Sequence, residues 1–425
     1  MRAGLTRQAL KANPYAYVGP FITQALAAAL VVASLGAQRT LPPAGDVADM
    51  GAAFLLISIY LSILIVGVTM GASIGRQAAD IALARTIGAS PGQVRRSVVA
   101  QAMLVAIPAT LVGAPLGSLA GRAWIHGLAA HGVIPADTGY HGHPAAAAIA
   151  FAITIGTSVP GTLIAAVRPS RVRPAVALSE AAAPRRTVGH VRTVIGLVLV
   201  AAGGVLSVLV SRLDARDAEN EGFFVALTMC VGAGFLAPAL LRAVSPVVRL
   251  AGPVGRLAAE HLAVRARTYS GAMVPLTLAA AFSAIQVLLQ TTPAHLSGVR
   301  PTAEEVWTDY TGTAVYAVFA AVAALNTLIN TTVARRRDLA VTRLAGGTQG
   351  RVLGIVFCEA LVVTGTSLVV AAVVAMTTVS PILHAAWMPG SYLVAGVLLT
   401  AALVLAGTVV PAAAGMRRPA VELVG

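Results

Sequence analysis

Ten long apolar runs alternate along this chain with short polar segments. Each run holds about 20 mostly uncharged residues, the length that a helix needs to cross the hydrocarbon core of a bilayer. The pattern therefore predicts an all-α integral membrane protein with about ten transmembrane helices. The predicted spans are 18–37, 51–74, 98–121, 145–167, 193–211, 222–241, 271–290, 313–333, 352–377 and 392–412.

The first run could be read as the apolar part of a signal peptide, because basic residues precede it. It lacks a good small-x-small cleavage site. The residues around its start also recur before the seventh run at an offset of 252 positions: Leu10 as Leu262, Tyr17 as Tyr269 and Gly19 as Gly271. We therefore expect the first run to be a true span.

One polar segment occurs twice, at residues 80–88 and 338–346. The offset between the copies is 258 positions, and the match continues into the next apolar run without a gap. Each copy follows one apolar run and precedes another. Spans two to four thus form one repeat and spans eight to ten a second, and both face the same way because an even number of spans separates them.

The repeat suggests a division of the chain into five parts, in which two similar units are joined by a linker. The N-terminal segment and first span occupy 1–50, and the linker holds spans five and six. The parts are 1–50, a first unit at 51–180, the linker at 181–270, span seven with its outer loop at 271–312, and a second unit at 313–425.

Each repeated segment is predicted to be a short helix, a turn and the start of the next span, which we call an elbow. Gly88 is a natural helix stop. Ser90, Pro91 and Gln93 form a capping-box pattern with proline at the first helical position. Thr348 is the corresponding cap in the second copy. An apolar stripe on the first elbow consists of Ile81, Ala84 and Ile87.

Two further sequence features carry weaker signals. Gly113 and Gly117 are four residues apart in the third span and would allow close helix approach.

The segment 122–144 contains four histidines and an aspartate, and imidazole binds zinc and copper. Surface histidines without metal are far more common, so no metal site is predicted at His126, His131, Asp137, His141 and His143.

Charge fixes the predicted orientation. The chain is 57% hydrophobic and 11% charged, with a mean hydropathy of +0.82 and a net charge of +14. If the N-terminus lies in the cytoplasm, 25 of the 30 basic residues fall in inner segments and five in outer ones. This positive-inside bias predicts that both termini and both elbows are cytoplasmic. The net charge thus indicates orientation and affinity for anionic lipid, and we predict no nucleic-acid partner.

The elbow pattern, with Arg-x-x-Gly before a span and Arg-Pro-Ala-Val-x-Leu at 173–178 and 418–423, resembles the FtsX-like permease family of ABC transporters. The ten-span, two-unit layout looks most like the bacitracin-export type of permease. The resemblance implies a bacterial plasma membrane location and contact between each elbow and an ATPase subunit. The implied coupling residues are Asp80, Arg85, Gly88, Asp338, Arg343 and Gly346.

Glu359 fits an acid that is frequent in this family at the start of the next span, and the first copy has Gln101 there. We expect a structural role for Glu359, in capping or pairing near the inner interface. The chain departs from the family in its outer links, 38–50 and 291–312, which leave no room for the usual large extracellular domain. Transmitted motion would then act on the spans, a short loop or a separate extracellular partner protein.

The chain cannot hold a phosphate-binding loop of the Gly-Lys-Ser/Thr type, because Lys11 is its one lysine and lies between Leu10 and Ala12. We therefore expect no enzyme activity and no cofactor in this polypeptide. Two copies of a cytosolic ABC ATPase, one for each elbow, are the expected partners.

Three functions fit these patterns. The first is an ABC permease that exports or extracts a lipophilic or peptide-like compound. The second is a non-transporting signal transmitter that controls a cell-wall hydrolase or a sensor partner. The third is a secondary transporter, which is disfavoured because such proteins keep ionisable residues at mid-membrane and this chain has only Glu359, near one end of a span.

Overall fold

A computed structural model of the protein describes residues 15–41, 46–86, 88–171, 189–212, 215–298 and 301–417. Within these residues the regular structure is helical throughout. We number the α-helices in chain order: α1 Tyr15–Thr40, α2 Asp46–Arg76, α3 Ala78–Thr86, α4 Pro91–Ala130, α5 Ala146–Arg171, α6 His190–Val210, α7 Ala215–Val244, α8 Gly252–Ser297, α9 Ala303–Ala334, α10 Arg336–Leu344, α11 Gln349–Leu383 and α12 Gly390–Met416.

The prediction of an all-α membrane protein is confirmed. Nine stretches of the described chain are long and apolar enough to cross a membrane. One of them, Gly222–Ser297, contains most of α7 and all of α8, joined by the 3-10 turn Ser245–Ala251. Each of the ten predicted spans therefore coincides with one long helix, and α3 and α10 are the two short ones.

Helix α8 is much longer than the predicted span at 271–290. It begins at Gly252 and contains 46 residues, which corresponds to about 70 Å, more than twice the thickness of the hydrocarbon core. Its first turns contain charged residues among alanine and leucine, which are good helix formers. These turns carry no apolar run, so hydropathy did not indicate them.

The helices fall into two compact units. The first comprises Met1–Pro184 with Ala303–Thr308, and the second comprises Arg185–Thr302 with Asp309–Gly425. The five-part division of the sequence remains a prediction. Each unit contains one of the two short helices: α3 belongs to the first and α10 to the second.

Close contact between α1 and α4 organises the first unit. A Cβ atom at Gly113 would lie 2.2 Å from the carbonyl oxygen of Ala25, and one at Gly117 would lie 2.2 Å from that of Ala29. A larger residue at either glycine would therefore collide with the α1 backbone. The GxxxG pair permits the close helix approach that the sequence suggested.

The core of the second unit is built from five helices. Buried residues of α7, α8, α9, α11 and α12 form one continuous apolar cluster around α8, which includes Leu241, Leu262, Tyr269, Met273, Leu276, Leu328, Val363 and Val404. Helix α8 thus lies at the centre of the unit, and its displacement would disturb the packing of every helix of the cluster.

A proline inside α7 explains why α6 carries an arginine near its start. Pro238 has no backbone N–H, so the carbonyl of Gly234 loses its helical donor. The Nη2 of Arg192 donates to that carbonyl at 3.0 Å and to the Ser270 hydroxyl at 3.0 Å, while Nε donates to the Phe235 carbonyl at 3.0 Å. Arg192 therefore satisfies the helix interruption and joins α6, α7 and α8.

Candidate functional site

The helices of the two elbows begin and end at matched positions of the repeat. Helix α3 covers 78–86 and α10 covers 336–344, which preserves the offset of 258 found in the sequence. The preceding helices end at Arg76 and Ala334, and the following ones begin at Pro91 and Gln349, again 258 apart. The sequence repeat is therefore also a repeat of structure.

Both short helices end in the same glycine-dependent motif. Gly88 has φ of 101° and Gly346 has φ of 92°, values that favour glycine because it has no Cβ. In each case the N–H groups of the glycine and the next residue bond back to the last turn, as in a Schellman motif. The bonds are Gly88 to Arg85, Ala89 to Ala84, Gly346 to Arg343 and Gly347 to Thr342. The predicted helix stop at Gly88 is confirmed.

The helix after each turn begins with a side-chain cap. Ser90 Oγ accepts from the Gln93 N–H at 3.3 Å, and Gln93 Oε1 accepts from the Ser90 N–H at 2.9 Å. The predicted capping box is therefore present. In the second elbow Thr348 Oγ1 accepts from the Arg351 N–H at 3.3 Å. Motif and cap together fix the angle between each short helix and the long helix that follows it.

One face of each short helix is buried against its own unit. Ile81 packs in a cluster with residues of α2, α4 and α5, and Leu339, its counterpart in the repeat, packs in a cluster with residues of α11 and α12. Ile81 is buried and Ala84 is half-buried, as the predicted stripe requires; Ile87 lies outside the described residues. Each elbow is thus anchored to its unit by apolar contacts.

The opposite face of each elbow exposes an apolar side chain. Leu83 is 59% exposed and Val341, at the matched position of the second copy, is 49% exposed. Leu344, in the last turn of α10, is 53% exposed. Each elbow thus presents an exposed aliphatic side chain at a matched position on the face that does not pack on the spans.

The predicted coupling residues occupy different environments. Asp338 forms an ion pair with Arg265 of α8 and remains 59% exposed, whereas Arg343 Nη1 donates to the Met416 carbonyl at 3.3 Å. Arg85 is half-buried. For Asp80 the structure describes the backbone, which lies in α3, but not the side chain. Contact of these residues with a partner stays a prediction.

A buried charged cluster lies beside the second elbow, around Glu359 of α11. Glu359 is 1% exposed and forms an ion pair with Nη1 of Arg335, which is 5% exposed and directly precedes α10. Two residues of α8 complete the cluster: the Tyr269 hydroxyl donates to Glu359 Oε2 at 2.8 Å, and Nδ1 of His261 lies 3.2 Å from Oε1. Glu359 thus connects three helical segments.

Sequence reasoning indicated Glu359 but missed its partners. Arg335 and Tyr269 also contact each other, with the guanidinium carbon 5.6 Å from the centre of the ring. One signal was present in the repeat: at the offset of 258, Arg335 corresponds to Gln77 and Glu359 to Gln101. A cation and an anion that are both replaced by glutamine in the other copy are candidates for an ion pair.

An apolar cavity lies in the second unit, away from its elbow. Its volume is about 690 Å³, and its lining comes from α8, α9, α11, α12 and the connection between the last two. Lining residues include Leu276, Ala321, Met376, Met388 and Leu403. Ala321 is 13 positions before the end of α9, so the cavity lies about 20 Å from the elbow along that helix. Its size suits a small lipophilic ligand.

Comparison with known proteins gives one match to a family. The family model described as FtsX-like permease C-terminal matches residues 52–174, which cover the first elbow together with most of α2 and all of α4 and α5. No curated protein matches the chain. The matched region is the one in which the sequence first showed the elbow pattern.

Proposed function

We propose that this chain couples a separate cytosolic ATPase to the export or extraction of a lipophilic or peptide-like compound, because its residues 52–174 match the model of the FtsX-like permease family, whose members are membrane components of ABC-type systems. The observation that carries the proposal is the pair of elbows. They share every helix boundary, and each exposes an apolar side chain at the matched position, Leu83 or Val341.

The elbow geometry suits the transmission of force. A partner that covers the exposed face would push on a helix whose other face packs on the spans through Ile81 or Leu339. The Schellman motif and the side-chain cap hold the following long helix at a defined angle. Motion of the short helix would therefore be passed on to α4 or α11 instead of being lost in a flexible loop.

The ATP site is assigned to another polypeptide. Walker-type phosphate binding needs a lysine in a glycine-rich loop, and Lys11 stands in no such sequence. FtsX-like permeases are transmembrane components and not themselves enzymes, which agrees with this assignment. The chain would supply the membrane path and the partner would supply hydrolysis.

The elbows are proposed to face the cytoplasm together with both termini, because 25 of the 30 basic residues then lie in inner segments. To test this orientation, single cysteines would be placed at the two caps, Ser90 and Thr348, in a chain whose Cys230 and Cys358 are replaced by alanine. A membrane-impermeant maleimide should leave both sites unlabelled in intact cells and label them after permeabilisation. Efficient labelling before permeabilisation would refute the orientation.

The cavity supports a lipophilic substrate. It is lined almost entirely by aliphatic side chains, and it extends from the α11–α12 connection toward the middle of the unit. In the proposed orientation that connection lies on the outer side of the membrane. A compound in the outer half of the bilayer could thus enter the cavity. The elbow whose motion would act on the cavity lies about 20 Å from it.

Purification from native membranes tests the proposed function. The chain, tagged and extracted in mild detergent, should retain a polypeptide with a Gly-Lys-Ser/Thr phosphate loop, and the complex should hydrolyse ATP in lipid nanodiscs. The chain alone should show no hydrolysis above background. Transport driven by an ion gradient in vesicles of the chain alone, without any ATPase, would instead identify a secondary transporter and overturn the proposal.

A further inference from the structure

The two elbows differ at the positions where they join the spans. The second elbow is preceded by Arg335, whose ion pair with Glu359 is almost completely buried. The first elbow has Gln77 and Gln101 at the corresponding positions, and Gln101 is also buried, at 8% exposure. A charged pair in one copy thus stands where the other copy has two neutral amides.

The charged pair links the second elbow to α8. Glu359 receives the hydroxyl of Tyr269 and lies beside His261, both on α8, while it binds Arg335 at the start of the elbow. A second ion pair, Arg265 with Asp338, joins α8 to the first turn of α10. The start of α10 is therefore connected to α8 twice, through Glu359 at the N-cap residue Arg335 and directly at Asp338 in the first turn.

The first repeat has different residues at most of the matched positions. Asp80 corresponds to Asp338, but at the offset of 252 that relates the start of α1 to α8, the counterpart of Arg265 is Asn13 and that of His261 is Ala9. Tyr269 alone is retained, as Tyr17. The buried pair of Arg335 and Glu359 therefore has no charged counterpart at the matched positions of the first repeat.

Building on the function proposed above, we propose that Arg335 and Glu359 are positioning residues that lock the second elbow to α8, so that the second ATPase site transmits motion to the centre of its unit more stiffly than the first. A buried carboxylate without its cation is strongly unfavourable. The pair therefore resists separation, and the elbow and α8 must move together. Separation of Gln77 from Gln101 at the first elbow would leave no buried charge without its partner.

The structure suggests a variant that removes the lock without leaving a buried charge. Arg335→Gln with Glu359→Gln reproduces the residues of the first elbow, whereas Arg335→Gln alone leaves Glu359 uncompensated. The single variant should fold poorly, and the second change should rescue it. This rescue would identify the pair, and not either residue separately, as the unit that matters.

Backbone amide exchange of the chain alone in nanodiscs tests the lock, with α3 as the internal reference because its boundaries match those of α10. In the native chain α10 should exchange about tenfold more slowly than α3, and in the double variant the two helices should become alike. Exchange in α8 and α11 beyond the contact region and the thermal unfolding midpoint should stay unchanged. Equal exchange of α3 and α10 in the native chain would overturn the proposal, as would acceleration throughout the second unit.

Turnover in the complex with the ATPase provides the second readout. The double variant should lower kcat for ATP hydrolysis several-fold and leave KM for ATP unchanged, because ATP binds the partner and only the transmission of motion is altered. An unchanged kcat would refute the coupling role. Failure of the proposed function would look different, since no ATPase would then purify with the chain, while the exchange result could still hold.

Discussion

Aspartate at both exposed elbow positions, Leu83→Asp with Val341→Asp, should abolish association with the ATPase. Each native side chain is about half exposed and projects from a helix whose other face is anchored to the spans. Covering an unpaired carboxylate at an interface costs about 2–5 kcal/mol. Two such sites should weaken binding by more than about a hundredfold, and each single variant should give an intermediate loss.

The matched control is Leu250→Asp. Leu250 lies in the 3-10 turn between α7 and α8, is 89% exposed, and falls on the same side of the membrane as the elbows in the proposed orientation. The control variant introduces the same aspartate carboxylate at an exposed leucine outside both elbows. Dissociation constants would be measured by biolayer interferometry on nanodiscs, with thermal unfolding as the check on folding. Retention of native affinity by the double variant would exclude the elbows as the docking surface.

Charge reversal at the predicted coupling residues is a less selective test. Reversal at Asp338 would also break its ion pair with Arg265, and reversal at Arg343 would remove its bond to the Met416 carbonyl. Weaker ATPase binding by these variants would therefore have two explanations, the loss of a contact with the partner and a distortion of α10. Leu83 and Val341 avoid this ambiguity because their side chains are already exposed.

The sequence predicted the elbows well because their signals are local. The glycine with positive φ, the cap residue directly before the next helix and the apolar stripe all act over a few residues. The offset of 258 also holds for the four helix ends that define each elbow, from the end of the preceding helix to the start of the following one. The membrane spans were equally predictable, because apolar length alone determines which segments cross a bilayer.

The contacts around Glu359 were not predictable in the same way. His261 and Tyr269 lie 98 and 90 positions away in the chain, and their approach depends on how α8 packs against α11. The first turns of α8 were missed because helical propensity without an apolar run gives only a weak signal. Hydropathy thus predicts which segments enter the membrane, but tertiary packing determines which polar side chains meet.

The second prediction with a large expected effect concerns the number of ATPase subunits that one chain binds. ABC ATPases work as pairs that close on each other, and each subunit must push on its own membrane element. A permease with one elbow per chain would have to dimerise to supply two. This chain contains two elbows with matching boundaries and matching exposed side chains, so one copy should recruit two ATPase subunits.

The single elbow variants make this expectation sharper. Leu83→Asp should remove one ATPase subunit and leave the other bound at the second elbow, and Val341→Asp should do the reverse. Residual binding in the two variants need not be equal, because the ion pairs of Arg335 and Arg265 restrain only the second elbow. A chain that acts as half of a symmetric dimer would not show this stepwise loss.

Native mass spectrometry of the complex purified in detergent tests the central claim most directly. The chain has a mass of 42.9 kDa, so particles that contain one or two copies of it are readily separated. We predict one chain with two ATPase subunits for the native protein and one chain with one subunit for either single elbow variant. A native particle with two chains and two ATPase subunits, or with a single ATPase on one chain, would contradict the claim that the internal repeat replaces dimerisation.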